Sequence, residues 1–160
     1  MQNGVDLFQR RFHVSVLLDY KGGYSLLDND YSFICQQAPQ PCDENEVAST
    51  PLWRQARAVA QNYGTTINGT KYTTTQGYYE NGQFWRLREV SGTLQLPRSI
   101  AHGVLRAADA SLSLQGRNLH VWTKFLGIDP EGTYGTGDTP SAFLTQPPRT
   151  YFVARVNLHY

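Results

Sequence analysis

The 160-residue sequence has no uninterrupted apolar run of about 18 residues, which is the length that a membrane-spanning helix requires. It also has little excess charge, because 14 Lys and Arg residues are balanced by 13 Asp and Glu residues, for a formal net charge of +1. Proteins that bind nucleic acid usually carry a basic face. The charge balance therefore predicts no nucleic-acid partner.

The first six residues, MQNGVD, lack the charged and apolar segments of a secretory signal peptide. This start is expected either of a cytosolic protein or of a fragment of a longer chain. No Ser-His-Asp, Cys-His or paired-carboxylate set stands out, and the four histidines are scattered. The sequence therefore predicts no enzymatic activity, no cofactor and no metal site.

Two cysteines, Cys35 and Cys42, lie in a polar stretch with no histidine nearby. Their spacing does not fit a zinc site. Two interpretations remain open at this point. They are incidental thiols, or they form a local disulfide in an oxidising compartment.

The sequence is rich in residues that favour strands and loops, with 10 Tyr, 14 Gly and 8 Pro and a single Met. Apolar and polar residues alternate with the period of a strand in four stretches. These are residues 7–20, 83–96, 110–125 and 150–160. In the third stretch the alternation changes parity, and a bulge near residues 116–118 would restore it. The fold class is therefore all-β, with antiparallel strands.

The last stretch has the clearest alternation. One predicted face is wholly apolar and has aromatic ends: Phe152, Ala154, Val156, Leu158 and Tyr160. The other face is mostly polar. Strands in soluble proteins usually have five or six residues, whereas a tilted membrane strand needs about 9–11. The four predicted strands have the longer length.

The connections alternate in length, as they do in membrane barrels with short periplasmic turns and long extracellular loops. The connector at residues 98–109 is short and contains one possible turn of helix, whereas residues 28–82 and 127–149 form long loops. One short helix is predicted at residues 52–63, with Leu52, Ala56, Val59, Ala60 and Tyr63 on one apolar face. Tyr72, Tyr78 and Tyr79 are the loop aromatics that would contact a ligand, although packing within the loop explains them equally well.

Four stretches resemble, in the same order, the end of SusC/RagA-type TonB-dependent receptors. They read FWRLREVS at 84–91 with LQLP at 94–97, LSLQGRNLHVWTK at 112–124, GIDPE at 127–131, and PPRTYFV at 147–153. The resemblance extends over roughly residues 7–160. Residues 28–82 resemble the family least.

The resemblance implies that residues 1–160 are the C-terminal part of a transmembrane β-barrel of about 22 strands, without its plug and most of its strands. It implies an outer-membrane location and active uptake of a nutrient of the siderophore, glycan or peptide class. The implied partners are the rest of the barrel and plug, outer-membrane lipid, the barrel-assembly machinery, the TonB complex and a SusD-like surface lipoprotein. The assembly machinery would read the final strand.

Two other functions fit parts of the pattern. A small soluble β-sandwich that binds carbohydrate explains the tyrosines and the missing signal peptide, but not the long strands. An independent small membrane barrel needs eight strands of about ten residues, and this sequence does not supply them.

Overall fold

The computed structural model of the protein describes residues 1–36, 42–133 and 140–160. In chain order, the strands and helices are β1 (Gln2–Leu7), β2 (Phe12–Lys21), β3 (Ser25–Asp28), α1 (Asn29–Gln36), α2 (Asp43–Glu46), α3 (Leu52–Asn62), β4 (Thr65–Ile67), β5 (Thr70–Tyr72), a 3-10 turn (Gln76–Tyr78), β6 (Tyr79–Asn81), β7 (Phe84–Gln95), α4 (Arg98–Gly103), β8 (Asp109–Thr123), β9 (Ser141–Ala142) and β10 (Tyr151–His159).

The chain divides into two compact units. The strand unit consists of Met1–Lys21, Phe84–Trp122 and Pro148–Tyr160. The insert unit consists of Gly22–Gln83 and Thr123–Pro147. Among the described residues, no helix is both long enough and apolar enough to cross a membrane.

The strand unit is a five-stranded sheet in the order β1-β2-β7-β8-β10. The pairs β1–β2, β2–β7 and β8–β10 are antiparallel. The sheet is not closed on itself, so β1 and β10 are its edges. The antiparallel strands agree with the all-β fold class that the sequence predicts.

The first predicted strand, at residues 7–20, is wrong in one respect. The strand begins at Phe12, and a further strand, β1, precedes it. Phe8, Gln9 and Arg10 have φ values of 53°, 59° and 66°, and the Arg11 amide donates to the Phe8 carbonyl at 3.2 Å. This tight turn reverses the chain, and it contains no glycine that would have revealed it.

Two irregularities interrupt the sheet. The pairing of β2 with β7 shifts by one residue between Leu17 and Leu18. In β8, Asn118 takes a left-handed backbone with φ of 51°. Asn118 lies within residues 116–118, where the sequence predicted a bulge because the alternation of apolar and polar residues changes parity.

The insert unit holds a three-stranded sheet in the order β6-β3-β9 and a β4–β5 hairpin. The hairpin turns at Asn68 and Gly69, whose φ values of 50° and 82° fit a tight two-residue turn.

The predicted helix at 52–63 is found as α3. Helices α1 and α2 were not predicted, whereas α4 lies in the connector for which one possible turn of helix was predicted. Helices α1 and α2 have eight and four residues, and such short segments give little periodic signal.

Candidate functional site

The strand unit separates its side chains into two opposite faces. Directly opposed residues of antiparallel strands lie on the same face of a sheet. In the β2–β7 pair, Val16 opposes Val90 and Tyr20 opposes Trp85, whereas Ser15 opposes Ser91. In the β8–β10 pair, Val156 opposes Leu112. One face is therefore apolar and the other is polar in each pair.

The apolar face is continuous across the sheet and open to the surroundings. A shallow groove of about 540 Å³ runs across β7, β8 and β10, lined mainly by apolar residues that include Val90, Leu114 and Phe152. The large apolar residues on this face that are exposed are Val5, Leu7, Val16, Tyr20, Trp85, Leu94, Leu114, Phe152, Val156 and Leu158. So large an apolar patch is unusual on a soluble monomer and marks a surface that meets a partner or a membrane.

The polar face pairs several of its charges and hydroxyls within the sheet. Its paired groups are Asp6 with His13 at 2.7 Å, Ser15 with Ser91 at 2.7 Å, Asp19 with Arg88 at 2.9 Å, Thr93 with Ser113 at 2.9 Å, and Glu89 with Arg117 at 3.0 Å. Because the two hydroxyls of Thr93 and Ser113 meet, the polar faces of β7 and β8 are continuous.

The residues predicted for the C-terminal strand fall on the apolar face. Phe152, Ala154, Val156 and Leu158 alternate along β10, and Tyr160 follows its end. Phe152 is 78% exposed and Val156 is 60% exposed. Their role in barrel assembly stays a prediction.

A buried ion network organises the insert unit. The Glu44 side chain is fully buried and accepts hydrogen bonds at 2.8 Å from Nε of Arg54 and from Nε of Arg57. Arg57 also contacts Glu80 at 3.0 Å. Because α3 supplies both arginines, the network holds this helix against α2 and β6.

Tyr78 is part of the same network. Its hydroxyl lies 3.3 Å from Glu44 and donates to that carboxylate, and the Arg57 guanidinium lies 4.4 Å from its ring centroid. Burial, together with the negative charge of Glu44, raises the pKa of the Tyr78 hydroxyl. Tyr78 is therefore a neutral hydrogen-bond donor at physiological pH.

The predicted ligand-contacting tyrosines lie in different environments. Tyr78 is fully buried, so the prediction that it contacts ligand is wrong for this residue, because its ring packs in the core beneath the ion network. Tyr79 is partly buried on β6. Tyr72 is exposed on β5, and for this residue ligand contact stays a prediction.

The structure joins Cys35 and Cys42 in a disulfide with a Cα–Cα distance of 5.2 Å. Both residues are buried and pack with Tyr78. The carbonyl oxygen of Cys35 accepts hydrogen bonds from the side-chain amides of Asn45 and Asn62. Although Glu44 lies close to both sulfur atoms, the disulfide occupies the two thiols, so this group does not offer thiolate ligands to a metal.

Helix α3 places its polar side inward and its apolar side outward. Arg57 and Gln61 are buried, and the Gln61 amide donates to the Ser32 hydroxyl at 2.6 Å. Leu52, Val59 and Tyr63 are 81%, 53% and 72% exposed. The apolar face that the sequence indicated exists, but it does not pack into the insert unit.

Comparisons with known proteins were made at three levels. No protein-family model matches the chain, and no curated protein matches it. Solved structures do match. A chain of the RagAB peptide importer in the closed-closed state has a TM-score of 0.64 and 24% identity, and the match covers 92% of this chain and 15% of that one.

Two further structures give the same result. The RagAB peptide importer in the open-open state matches with a TM-score of 0.61 and 20% identity, covering 94% of this chain and 16% of that one. The RagAB peptide transporter matches with a TM-score of 0.65 and 23% identity, covering 93% and 16%. At these identities the likeness shows the fold alone. The chain spans about a sixth of the length of the chains it matches.

The buried ion network predicts that Glu44 is essential to the insert unit. Removing one partner of a buried ion pair leaves an uncompensated charge, which costs about 3–5 kcal/mol. We expect Glu44→Gln to speed hydrogen exchange of the α3 amides, which mass spectrometry of the protein would measure. Glu46→Gln, an exposed position in the same helix, is the control. Equal protection in the two variants would contradict the prediction.

The geometry of the cysteines predicts a disulfide in the mature protein. We expect the peptide that contains Cys35 and Cys42 to take up no alkylating reagent when the unreduced, denatured protein is analysed by mass spectrometry. After reduction, the same peptide should gain two alkyl groups. Two alkylated cysteines without reduction would show that the thiols are free.

Proposed function

We propose that this chain is the C-terminal part of the β-barrel of a SusC/RagA-like TonB-dependent receptor, which takes up nutrients across the outer membrane. In this proposal residues 1–160 belong to one barrel domain, and the plug and most strands lie elsewhere in the parent protein. The chain by itself does not transport. The transported nutrient belongs to the siderophore, glycan or peptide class.

The observation that carries the proposal is the pair of opposite faces on the five-stranded sheet. A membrane barrel presents apolar residues to lipid and polar residues to its interior. The exposed apolar face, with Val16, Leu114 and Val156, supplies the first surface. The hydrogen-bonded and ion-paired face supplies the second. The rings of Tyr20 and Trp85, which are in contact with centroids 4.7 Å apart and tilted by 38°, suit the membrane–water interface.

The open edges of the sheet support the same proposal. An edge strand offers unpaired backbone groups, which pair with a neighbouring strand. The described residues supply no strand beyond β1 or β10 in this sheet. The rest of the barrel would pair with these edges, and the barrel-assembly machinery would first meet β10.

The connections between strands suggest the orientation in the membrane. The two long segments of the insert unit follow β2 and β8, whereas a four-residue turn follows β1 and a short connector with α4 precedes β8. Barrels of this kind have their long loops outside the cell and their short turns in the periplasm. We therefore assign the insert unit to the outside. There it would contact substrate and a surface lipoprotein.

The RagAB structures support the class of function proposed. They are described as a peptide importer, and their name indicates two components. In its more specific form, we therefore propose that the nutrient is a peptide and that the partner is a SusD-like lipoprotein. Coupling to the TonB complex would require the N-terminal part of the parent protein.

The alternative, a soluble carbohydrate-binding β-sandwich, is disfavoured by burial. A sandwich would bury the inward faces of its strands in a core between two sheets. Val14 and Leu112 are only partly buried, and Val16 and Leu114 are exposed. The apolar face of this sheet has no second sheet of the strand unit packed against it.

A charge on the proposed lipid face should impair insertion of the full-length receptor. A lysine near the bilayer midplane costs about 2–4 kcal/mol when it faces lipid, and almost nothing when it faces the lumen. We therefore expect Val156→Lys to reduce the amount of folded receptor in the outer membrane several-fold. Asn157→Lys, on the polar face of the same strand, should leave it near the wild-type amount.

The measurement is the amount of heat-modifiable receptor in outer-membrane fractions, quantified for both variants at equal expression. Normal levels of the Val156→Lys receptor would overturn the assignment of this face to lipid. A stronger defect for Asn157→Lys than for Val156→Lys would show instead that the face with Asn157 meets lipid.

A further inference from the structure

One oxygen of the buried Glu44 carboxylate faces the disulfide of the insert unit. Oε1 accepts hydrogen bonds at 2.8 Å from Nε of Arg54 and from Nε of Arg57. Oε2 lies 3.9 Å from Sγ of Cys35 and 3.3 Å from the Tyr78 hydroxyl oxygen. The arginines therefore hold the carboxylate in place through one oxygen, while the other oxygen is directed at the sulfur.

Three buried ligand atoms are grouped at this point. The sulfur atoms of Cys35 and Cys42 and a carboxylate oxygen of Glu44 all lie within 4.8 Å of one another. In a tetrahedral zinc site, with Zn–S bonds of about 2.3 Å and Zn–O bonds of about 2.1 Å, the ligand atoms lie roughly 3.5 Å apart. The separation of 3.9 Å between Sγ of Cys35 and Oε2 of Glu44 is close to this value. The group therefore needs only small side-chain movements to surround a metal ion once the sulfur atoms are free.

Reduction would free the sulfur atoms. A pair of small thiol molecules would transfer two electrons and two protons to the disulfide, which becomes two thiols, while the reductant is itself oxidised to a disulfide. Binding of Zn²⁺ would then displace the two thiol protons into solvent. The positive guanidinium groups of Arg54 and Arg57, which contact Glu44, favour the thiolate forms.

A cavity gives an ion and a reductant access to this group. Its volume is about 920 Å³, and its lining includes Cys35, Glu44 and the exposed Glu46. A zinc ion held by three protein ligands would keep its fourth position open for a water molecule from this cavity. The hydrogen bonds from Tyr78 and the arginines to Glu44 supply the outer shell that orients a ligating carboxylate.

We propose that Cys35, Cys42 and Glu44 form a binding site for Zn²⁺ when the disulfide is reduced. Thiolate ligands favour zinc over calcium and magnesium, which prefer oxygen ligands. The disulfide and the metal ion would be alternative links between the end of α1 and the start of α2, so this connection would persist in oxidising and in reducing surroundings. The site does not depend on the proposed function, because all of its residues belong to the insert unit.

Zinc binding by the oxidised and the reduced protein tests the site. A phosphine reduces the protein, and competition with a chromogenic indicator measures the zinc that is bound. We expect the reduced protein to bind one more zinc ion per chain than the oxidised protein. With Cd²⁺ in place of Zn²⁺, the reduced protein should also show ultraviolet charge-transfer absorption from thiolate to metal, which the oxidised protein should lack.

Cys42→Ser is the decisive variant, because reduced wild type also lacks the disulfide and the two proteins then differ in one ligand only. Loss of an outer-shell partner alone weakens metal binding by about 10–100-fold. We therefore expect reduced Cys42→Ser to bind zinc at least about tenfold more weakly than reduced wild type. Glu46→Gln is the matched control, because Glu46 lines the same cavity outside the ligand set, and it should bind zinc like the wild type.

Hydrogen exchange provides a second readout that adventitious zinc binding elsewhere would not change. Reduction should speed exchange of the α1 and α2 amides. Zinc should restore their protection in reduced wild type but not in reduced Cys42→Ser, because an ion that binds only the folded form stabilises that form.

Three results would overturn the proposal. They are equal zinc binding by the oxidised and the reduced protein, equally tight binding by reduced Cys42→Ser and reduced wild type, and α1 and α2 amides that stay unprotected when zinc is added to the reduced protein. The proposed receptor function would stand after any of these results, because its support comes from the strand unit.

Discussion

The strand unit depends on one constraint: every pair of opposed residues must fall on the correct face. A shift of one residue would move an apolar side chain to the polar face, because side chains alternate along a strand. The shift between Leu17 and Leu18 illustrates this. Leu18 opposes Leu87 and Tyr20 opposes Trp85 beyond it, so the apolar face continues past the irregularity. Asn118, with its left-handed backbone, lies at the parity change in β8. The sheet thus accommodates two irregularities without mixing its faces.

The insert unit buries charge as well as apolar side chains such as Leu26 and Phe125. Burying ions costs several kcal/mol each unless they are paired and hydrogen-bonded. Glu44 meets this requirement with two arginines and the Tyr78 hydroxyl, and Arg57 reaches Glu80 as well. The disulfide lies beside the same network. The polar contacts face the interior of this unit, and the apolar side of α3 is exposed.

Much of the strand unit could be predicted from the sequence, because alternation is a local signal. β7, β8 and β10 lie within one or two residues of their predicted bounds, and α3 follows Pro51 as expected. The turn at residues 8–10 was missed because three non-glycine residues take positive φ values there. The sequence did not predict which side of α3 faces the interior of the insert unit either. Glu44 and Glu80 determine this, and because both lie outside the helix in sequence, they leave no trace in its periodicity. Tyr78 was misjudged for the same reason, since its partner, Glu44, is 34 residues away.

The central claim is that one face of the sheet meets lipid and the other meets the barrel interior. Spin labels placed singly at positions 152 to 158 of the full-length receptor in bilayers test it most directly. Labels at Phe152, Ala154, Val156 and Leu158 should collide readily with dissolved oxygen, whereas labels at Val153, Arg155 and Asn157 should not. Oxygen accessibility that alternates in this phase along β10 is the result the account predicts. A profile with no alternation, or with the opposite phase, would contradict it.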